Sequence, residues 1–340
     1  MLTELKKADG GYVSGETLCE GLKVTRTAIW KHIVQLRADG YIISAVTNKG
    51  YAMIESPDIM DSHELCSELE LFSGSRKWEN IYYLPSTGST NDYAKSLAAK
   101  GCQVAPDRTV IIADCQTSGR GRMGRAWFSE AGKGIWMSVI FRPALPPSEY
   151  NILTLAAAVA VNRAVKKTTG LVCGIKWPND LLINGSKVCG ILSEMAIDSD
   201  TIDYAVCGIG INILHDRKDF PEEILGNATS IKIELESLGE AGGSLPVTQS
   251  IIKRSRIAST VLIELDRVYE MISEGRTSLM LDEWRSHNVT CGRMITVNVR
   301  GNEFDCFAED VTSEGRLLVC LPDGSKRELS SGEISIKKNV

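Results

Sequence analysis

The segment QTSGRGRMGRAW, residues 116–127, limits the fold more than any other part of this 340-residue chain. It follows an apolar run at residues 109–113 that predicts a buried strand, and its glycines match the G-x-G-x-x-G pattern of dinucleotide-binding βαβ units. These glycines are Gly119, Gly121 and Gly124. In such a unit a helix follows, and an acid about 20 residues further on binds the ribose. Here a second strand follows at residues 135–141 and that acid is missing, so we exclude a dinucleotide fold and predict a glycine-rich loop between two strands.

The same loop is cationic, because it holds three arginines and no acid. They are Arg120, Arg122 and Arg125. A dinucleotide loop presents bare backbone to the pyrophosphate, whereas clustered guanidinium groups suit a polyphosphate or an acyl phosphate. The alternative is a solvated surface loop, although such loops rarely collect cations so densely without acids. We therefore predict an anion site in this loop.

Two further motifs flank a hairpin signal. K-W-P-N-D at residues 176–180 and K-V-C-G-I-L at residues 187–192 lie on either side of an Asn-Gly pair at residues 184–185. The hairpin would bring Lys187 near Asp180 on the opposite strand. A lysine held there can neutralise a carboxylate and a phosphate together. A lone surface lysine is usually only solvated, so this prediction depends on the neighbouring charges.

Two other segments supply polar groups at strand ends. The run G-I-G-I-N, residues 208–212, ends an apolar strand where glycine permits close backbone approach and Asn212 could bind an amide or an adenine edge. The S-T-N run at residues 89–91 follows a predicted strand at residues 81–84. Its hydroxyl and amide groups would suit a polar heterocycle or, equally well, cap a helix.

Charge reverses sharply after the first fifty residues. Residues 23–49 hold five Lys or Arg against one acid, whereas residues 51–70 hold six acids and no Lys or Arg. With Pro57 inside the reversal, this predicts a domain boundary. A second boundary is predicted near residues 285–290, where a helical pattern gives way to β-type alternation. The predicted domains are residues 1–56, 66–284 and 288–340.

The first domain has the pattern of a DNA-binding helix-turn-helix. A helix entered at Ser14 and a second one capped by Thr25 predict the two helices, and a hairpin at residues 41–53 predicts a wing. The second helix has one apolar face and one face of basic, polar and aromatic groups, which suits the major groove. The residues predicted to bind DNA are Thr25, Arg26, Thr27, Trp30 and Lys31. A small helical domain with a solvated basic face is the alternative, but it does not explain a tryptophan among basic residues.

In their order and spacing, four motifs resemble those of biotin–protein ligases. They are G-R-G-R-x-G-R-x-W, K-W-P-N-D, K-x-x-G-I-L and G-I-G-I-N. With the helix-turn-helix, the chain is similar over nearly its whole length to bifunctional ligases that also repress the biotin operon. The resemblance implies an α+β fold with an N-terminal winged helix-turn-helix, a central mixed-sheet ligase domain and a C-terminal SH3-like small β-barrel. Helices predicted at residues 153–167 and 247–273 would pack on one side of the central sheet.

The resemblance also implies the chemistry. Such an enzyme activates biotin with ATP to biotinyl-5′-AMP, with Mg²⁺ bound through the ATP phosphates. It then transfers biotin to a lysine of the biotin carboxyl carrier domain of a carboxylase. Biotin operator DNA and a ligand-linked homodimer are implied as further partners.

Carried onto this chain, the resemblance assigns roles to individual residues. The catalytic residues are Lys187, Arg120 and Asp180. The biotin-binding residues are Ser89, Thr90, Asn91, Gln116, Gly119, Arg120, Gly121, Arg122, Lys187 and Gly208. The residues that bind ATP or the adenylate are Arg122, Arg125, Trp127, Asn179, Lys187 and Asn212. Met123 is a departure, since the family often has arginine there, and the loop therefore has one cation fewer.

Composition sets further limits. Hydrophobic content of 43% and a net charge of −5 fit a globular chain and argue against a wholesale nucleic-acid coat. The longest mostly apolar stretch, residues 153–161, is far shorter than a membrane span, and the N-terminus has no apolar signal core. Ten cysteines stand singly. We expect a cytoplasmic protein with reduced thiols, no membrane contact and no protein-bound metal.

Three other functions stay open at this point. A lipoate–protein ligase would share the central fold, although the arginine-glycine loop and K-W-P-N-D argue against it. A repressor could use the central domain only to sense biotin, but intact Lys187, Asp180 and arginines argue for catalysis. A ligase could also have lost DNA binding, which salt-dependent binding to a two-fold operator would test.

Overall fold

The computed structural model describes residues 1–73, 77–240, 252–299 and 301–336. Its α-helices are Leu2–Lys7 (α1), Gly15–Leu22 (α2), Arg26–Ala38 (α3), Ser62–Ser73 (α4), Thr90–Ala98 (α5), Tyr150–Thr169 (α6), Ile231–Glu240 (α7), Arg254–Ser273 (α8) and Thr277–His287 (α9). Its strands are Ile42–Val46 (β1), Gly50–Glu55 (β2), Ile81–Leu84 (β3), Thr109–Ala113 (β4), Gly134–Phe141 (β5), Gly174–Lys176 (β6), Asp180–Ile183 (β7), Ser186–Asp198 (β8), Thr201–Asn212 (β9), Arg293–Val299 (β10), Asn302–Val311 (β11), Leu317–Cys320 (β12), Lys326–Leu329 (β13) and Glu333–Ile336 (β14).

The N-terminal part is a winged helix-turn-helix. Ser14 Oγ accepts a hydrogen bond from the Thr17 N–H at 3.0 Å, and Thr25 Oγ1 accepts one from the Ala28 N–H at 3.3 Å. These side chains satisfy N–H groups that a helix leaves unpaired at its start, so both predicted caps are confirmed. Strands β1 and β2 pair antiparallel as the wing. Ile29 of α3 packs into a small separate core of this part of the chain.

The central part is built on a seven-stranded mixed sheet. Its strand order is β3-β4-β5-β9-β8-β7-β6, with β3 and β4 parallel and the other neighbours antiparallel. Every residue of β4 and of β5 is buried. Uninterrupted burial of this kind requires cover on both faces of the sheet.

Helices cover both faces: α6 and α8 lie on one face, as predicted, and α5 covers the opposite face, which was not predicted. Val110 and Ile112 of β4 belong to the large core that also holds α6 and α8. Between them, Ile111 points the other way and packs with Ala94 and Leu97 of α5. Successive strand side chains face opposite sides, and on β4 both sets are apolar, so each needs its own layer of helix.

The long helix predicted at residues 247–273 begins later, at Arg254. Residues 247–251, including Ile251, lie outside the described residues. Lys253 has an extended backbone, and the Arg254 N–H donates to Asp58 Oδ1 at 2.8 Å. A carboxylate from the distant segment after β2 thus caps the helix, which local periodicity cannot reveal. Ile252, just before the helix, and Ala258, Leu262 and Leu265 within it are buried.

The C-terminal part is a five-stranded antiparallel sheet, in the order β13-β12-β11-β10-β14. Its buried residues share one continuous apolar core with the central part. Trp177, in the K-W-P-N-D motif, is fully buried, and its Nε1 donates to the Gly315 carbonyl at 3.1 Å. The segment before β7 is therefore held against the C-terminal sheet.

Helix α4 and the segment before it connect the N-terminal part to the central part. Lys6 Nζ lies 2.6 Å from Glu64 Oε1 and 2.5 Å from Glu68 Oε1, and Tyr41 Oη donates to Glu64 at 2.6 Å. Burial and the Glu64 carboxylate raise the pKa of Tyr41 far above its usual range, so its hydroxyl stays protonated. The catalytic domain predicted from residue 66 would begin inside this helix.

Buried Arg254 ties that segment to the sheet. Its Nε donates to Asp58 Oδ2 at 2.7 Å, and its Nη1 donates to Asp114 Oδ1 at 2.8 Å, at the end of β4.

No helix of the described ranges is apolar over enough length to cross a membrane.

Replacing Arg254 tests how much this contact stabilises the fold. Arg254→Met leaves two carboxylates without their counter-ion, so the free energy of unfolding should fall by about 3 kcal/mol. Urea denaturation followed by circular dichroism measures the change. Arg276→Met is the matched control, because Arg276 makes an exposed ion pair with Glu274 and should cost less than about 1 kcal/mol. Equal stability of the two variants would contradict the prediction.

Candidate functional site

A cavity of about 650 Å³ opens over the face of the central sheet. It is enclosed by the arginine-glycine loop, the starts of α5 and β8, the end of β9, and the segments at residues 176–180, 220–228 and 332–335. Most residues that the sequence predicted for catalysis and ligand binding line it. Ser89, Thr90, Asn91, Gln116, Arg120, Gly121, Arg122, Arg125, Trp127, Asn179, Asp180, Lys187, Gly208 and Asn212 are among the lining residues.

One end of the cavity is a network of uncharged polar groups. Gln116 Oε1 accepts from the Thr90 N–H at 2.8 Å and from the Thr90 hydroxyl at 3.0 Å. Ser138 Oγ, from the middle of β5, lies 2.8 Å from Thr90 Oγ1 and 2.7 Å from Asn91 Oδ1. These side chains are held in one orientation before any ligand arrives. Ser89 is the N-cap of α5, so the S-T-N run both caps a helix and lines the cavity.

The residues that hold this network were not predicted from the sequence. Ser138 is fully buried, and its only sequence signal is a hydroxyl inside the apolar run of β5. Ser129 Oγ accepts from Gln116 Nε2 at 2.8 Å, and Glu194 Oε2 accepts from Asn91 Nδ2 at 2.9 Å. All three lie far along the chain from the residues they contact, so spacing alone could not identify them.

The glycines of β8 and β9 leave room for side chains that lie on the sheet. A Cβ at Gly208 would lie 2.1 Å from Asn91 Oδ1, and one at Gly210 would lie 2.4 Å from Trp127 Nε1. At Gly190, a Cβ would lie 2.8 Å from the Trp127 ring. The close approach expected at these glycines is confirmed, but Asn91 and Trp127 of the protein itself make it.

The arginine-glycine loop folds back on itself. The Gly121 N–H donates to the Arg125 carbonyl at 2.7 Å, and the Trp127 N–H donates to the Gly119 carbonyl at 2.8 Å. Gly119 lies against the sheet end of the loop, where a Cβ would be 2.4 Å from the Trp127 oxygen. Met123, at the exposed tip, has a φ of 56°. A strand, and not an α-helix, follows this loop, as the sequence predicted. The loop contains only a short 3-10 segment, Arg122–Gly124.

The tertiary structure supplies the acids that the loop lacks in sequence. Arg120 pairs with Asp92 of α5, and Arg125 pairs with Glu333 at the start of β14. Arg122 instead donates to the amide oxygen of Asn179 at 3.2 Å. Burial lowers the pKa of Arg122, because its charge is the least solvated of the three. The loop is thus held by charges from two other elements, which the sequence analysis missed.

Lys187 and Asp180 meet as the hairpin predicted. Strands β7 and β8 are joined by Asn184 and Gly185, both with positive φ, and Lys187 Nζ lies 2.6 Å from Asp180 Oδ1. The Lys187 ammonium also lies 5.2 Å from the centre of the Trp127 ring. An ammonium in this position can neutralise a carboxylate and a phosphate brought together on the sheet.

The wall beside Trp127 comes from a segment that the sequence analysis did not assign. Phe220 and Ala228 line the cavity, and the Lys187 N–H donates to the Asn227 carbonyl at 2.7 Å. Buried Asn212 donates a hydrogen bond from Nδ2 to the Thr229 carbonyl at 3.0 Å. One N–H of the side-chain amide that was predicted to bind a ligand therefore holds this segment in place. Bridges between residues so far apart leave no sequence signal.

His215 packs behind this wall. Its ring is fully buried and stacks on Phe220 with centroids 5.0 Å apart. Burial lowers its pKa to about 4, so the imidazole is neutral at physiological pH. The described residues contain no cluster of three or more His, Cys, Asp or Glu side chains suited to a metal ion.

A second surface lies on α3 of the N-terminal part. Ile29 and Ile33 are buried, whereas Arg26, Thr27, Trp30 and Lys31 are exposed. Trp30 keeps 58% of its surface exposed. Thr25 is the N-cap of the helix, and its hydroxyl accepts a hydrogen bond from the Ala28 backbone N–H. The face that the sequence predicted for DNA is therefore exposed.

Comparison with known proteins matches each part of the chain to a family model. The Biotin/lipoate A/B protein ligase family matches residues 83–212, an HTH domain matches residues 1–52, and the Biotin protein ligase C terminal domain matches residues 290–337. The bifunctional ligase/repressor BirA of Bacillus spizizenii is 35% identical over 96% of this chain and 94% of its own. The chain belongs to the bifunctional biotin ligase/repressor family.

Two biotin ligases are also similar to this chain. The biotin–[acetyl-CoA-carboxylase] ligase of Mycobacterium tuberculosis is 33% identical over 78% of this chain and 92% of its own. The structure of the Aquifex aeolicus biotin protein ligase with biotin and ATP matches with a TM-score of 0.60 and 25% identity, covering 77% of this chain and all of that one. The family and the three-part α+β fold predicted from the sequence are confirmed. The roles of individual residues stay predictions.

Filling the gap at Gly208 tests the polar end of the cavity. Gly208→Ala should push Asn91 off the sheet and weaken biotin binding by about tenfold, which is about 1.4 kcal/mol, with little change for ATP. Isothermal titration calorimetry measures both affinities. Gly21→Ala is the matched control, since nothing lies within 4 Å of its Cβ position. Unchanged biotin affinity in Gly208→Ala would show that Asn91 does not contribute to this site.

Proposed function

We propose that this protein is an ATP-dependent biotin–protein ligase. It forms biotinyl-5′-AMP and pyrophosphate from biotin and ATP, and it then transfers biotin to a lysine of the biotin carboxyl carrier domain of a carboxylase. One observation carries the proposal: a single cavity joins the network around Asn91 and Gln116 to the Lys187–Asp180 pair and the arginine loop. The cavity can hold an uncharged polar ring at one end. At the other end it can hold a carboxylate next to a phosphate.

The first step needs positive charge more than proton transfer. When the biotin carboxylate attacks the α-phosphate, charge builds on the phosphoryl oxygens, and preorganised cations stabilise it. Lys187 would bind the carboxylate and the α-phosphate together, and Arg122 would contact the same phosphate from the loop. The product is a mixed anhydride held in place, so no nucleophilic side chain is required.

Mg²⁺ enters this proposal with the ATP. Asp180 lies in the cavity beside Lys187, and one carboxylate with substrate phosphates is a common ligand set for Mg²⁺. The ion would neutralise phosphate charge. Arg120, held by Asp92, would keep the loop closed over the adenylate and exclude water that hydrolyses it.

The polar network favours biotin over lipoate. The ureido ring of biotin offers N–H donors and a carbonyl, whereas the dithiolane of lipoate offers neither. A site built of hydrogen-bonding groups rejects a ligand that leaves them unpaired. Beyond their internal hydrogen bonds, Gln116 Nε2 has a second N–H and Asn91 Oδ1 a second lone pair, and these suit the ureido carbonyl and N–H groups.

Incubation with Mg-ATP and either biotin or lipoate, followed by mass analysis, tests the proposal. We expect biotinyl-AMP and pyrophosphate from biotin alone. Lipoyl-AMP would assign the protein to lipoate activation instead. Folded protein that makes neither adenylate would be a biotin-sensing repressor without ligase activity.

Lys187→Ala should reduce biotinyl-AMP formation by about 10²-fold or more, because the cation beside both reacting groups is lost. Single-turnover formation of the adenylate measures the effect. Lys166→Ala, an exposed lysine of α6, should react like wild type. A Lys187→Ala protein with normal adenylate formation and normal stability would remove Lys187 from the mechanism.

The same proposal includes repression of the biotin operon. The basic and aromatic face of α3 and the wing fit a winged helix-turn-helix that binds operator DNA. One such module binds DNA only modestly, so we propose a homodimer on a two-fold operator that forms when the adenylate is bound. All ten cysteines are free, which fits the reducing cytoplasm in which we place the protein.

Trp30→Ala tests the DNA-binding face. A duplex selected from random sequence by the wild-type protein should bind the variant roughly tenfold or more weakly, while binding to an unrelated duplex stays the same. Lys31→Ala should weaken both and lower the salt dependence by about one phosphate contact. Fluorescence anisotropy at several salt concentrations measures this, with Lys7→Ala of α1 as the control. Equal losses on both duplexes for Trp30→Ala would exclude a base contact.

A further inference from the structure

Lys176 is a charged residue of the cavity that the mechanism above does not use. It ends β6, is half-buried and lines the cavity. Three other cations there have a carboxylate partner: Arg120 with Asp92, Arg125 with Glu333, and Lys187 with Asp180. Within the described parts of the chain, the Lys176 ammonium has neither a hydrogen bond nor an ion pair. A partly buried charge without a partner is costly, so its position suits an anionic ligand.

The sheet register places Lys176 in a single row across the site. Gly210 of β9 lies opposite Gly190 of β8, Gly190 lies opposite Asp180 of β7, and Asp180 lies opposite Lys176 of β6. Directly opposite residues of antiparallel strands share a face. Trp127 covers the two glycines, so the row runs from that ring through Asp180 to Lys176.

Asp180 lies between two lysines and pairs with one of them. Its Oδ1 is 2.6 Å from Lys187, on the β8 side. Lys176 lies on the other side, toward Arg125 and Glu333. Burial lowers the pKa of Lys176, while nearby Asp180 opposes that change. A phosphate placed beside it would favour the charged ammonium and so oppose the effect of burial.

We propose that Lys176 binds the β- and γ-phosphates of ATP and stabilises the departing pyrophosphate. This inference rests on the proposed function. In the first step a carboxylate oxygen of biotin forms a bond to the α-phosphorus, while the bond from that phosphorus to the bridging oxygen of the β-phosphate breaks. The bridging oxygen leaves with the electron pair. Attacking and leaving oxygens lie roughly in line, so Lys187 on one side of Asp180 places the leaving group on the side of Lys176.

The two half-reactions separate this role from a structural one. Pyrophosphate takes part only in adenylate formation, and biotin transfer to the carrier lysine does not involve it. Lys176→Met keeps an unbranched side chain that is one atom shorter and removes its charge. We expect biotinyl-AMP formation to slow about 100-fold and the KM for pyrophosphate in pyrophosphate–ATP exchange to rise about tenfold. Transfer from biotinyl-AMP supplied in advance to a carrier domain should stay within about twofold of wild type.

Two further variants complete the experiment. Lys176→Arg should recover much of the exchange rate, because it restores a cation, and Lys166→Met of α6 should match wild type in both half-reactions. Biotin affinity by calorimetry reports whether Lys176→Met is folded. Normal exchange kinetics in folded Lys176→Met, or an equal loss in both half-reactions, would overturn the assignment. Wild-type protein that makes no biotinyl-AMP would overturn the proposed function itself, and this inference with it.

Discussion

The site depends on bare backbone at three positions of two neighbouring strands. Gly190, Gly208 and Gly210 let the Trp127 ring and the Asn91 amide lie directly on the sheet. Any Cβ there would meet those groups well inside van der Waals distance. Because Trp127 closes the arginine-glycine loop and Asn91 starts α5, the positions of both elements follow from these gaps. The cavity is the space left between them.

Charge holds the loop in place from two directions. Arg120 pairs with Asp92 of α5, and Arg125 pairs with Glu333 of the C-terminal sheet. Under the proposed function, a ligand phosphate would compete with Glu333 for Arg125. The C-terminal part thus supplies both an ion pair to the loop and part of the cavity wall.

Local rules predicted the parts of the structure that depend on nearby residues. The caps at Ser14 and Thr25, the wing, and the hairpin that brings Lys187 to Asp180 are as expected, since each is decided within a few residues. The prediction failed where distant segments decide. Asp58 sets the start of α8, and the second apolar set of β4 residues required α5 on the opposite face. Ser138, Ser129 and Glu194 were missed for the same reason.

The sequence by itself determined the family, the three-part order and the inventory of reactive groups, because motif spacing and helix and turn signals are local properties of the chain. The local turn predicted the Lys187–Asp180 pair, but only the tertiary structure decided the surroundings of the other cations. Arg120 and Arg125 pair with carboxylates of distant elements. Strand register sets Lys176 directly opposite Asp180, whose carboxylate pairs with the Lys187 side chain from the next strand, and this leaves Lys176 facing the cavity. That arrangement arises from the packing of three strands, which no short segment encodes.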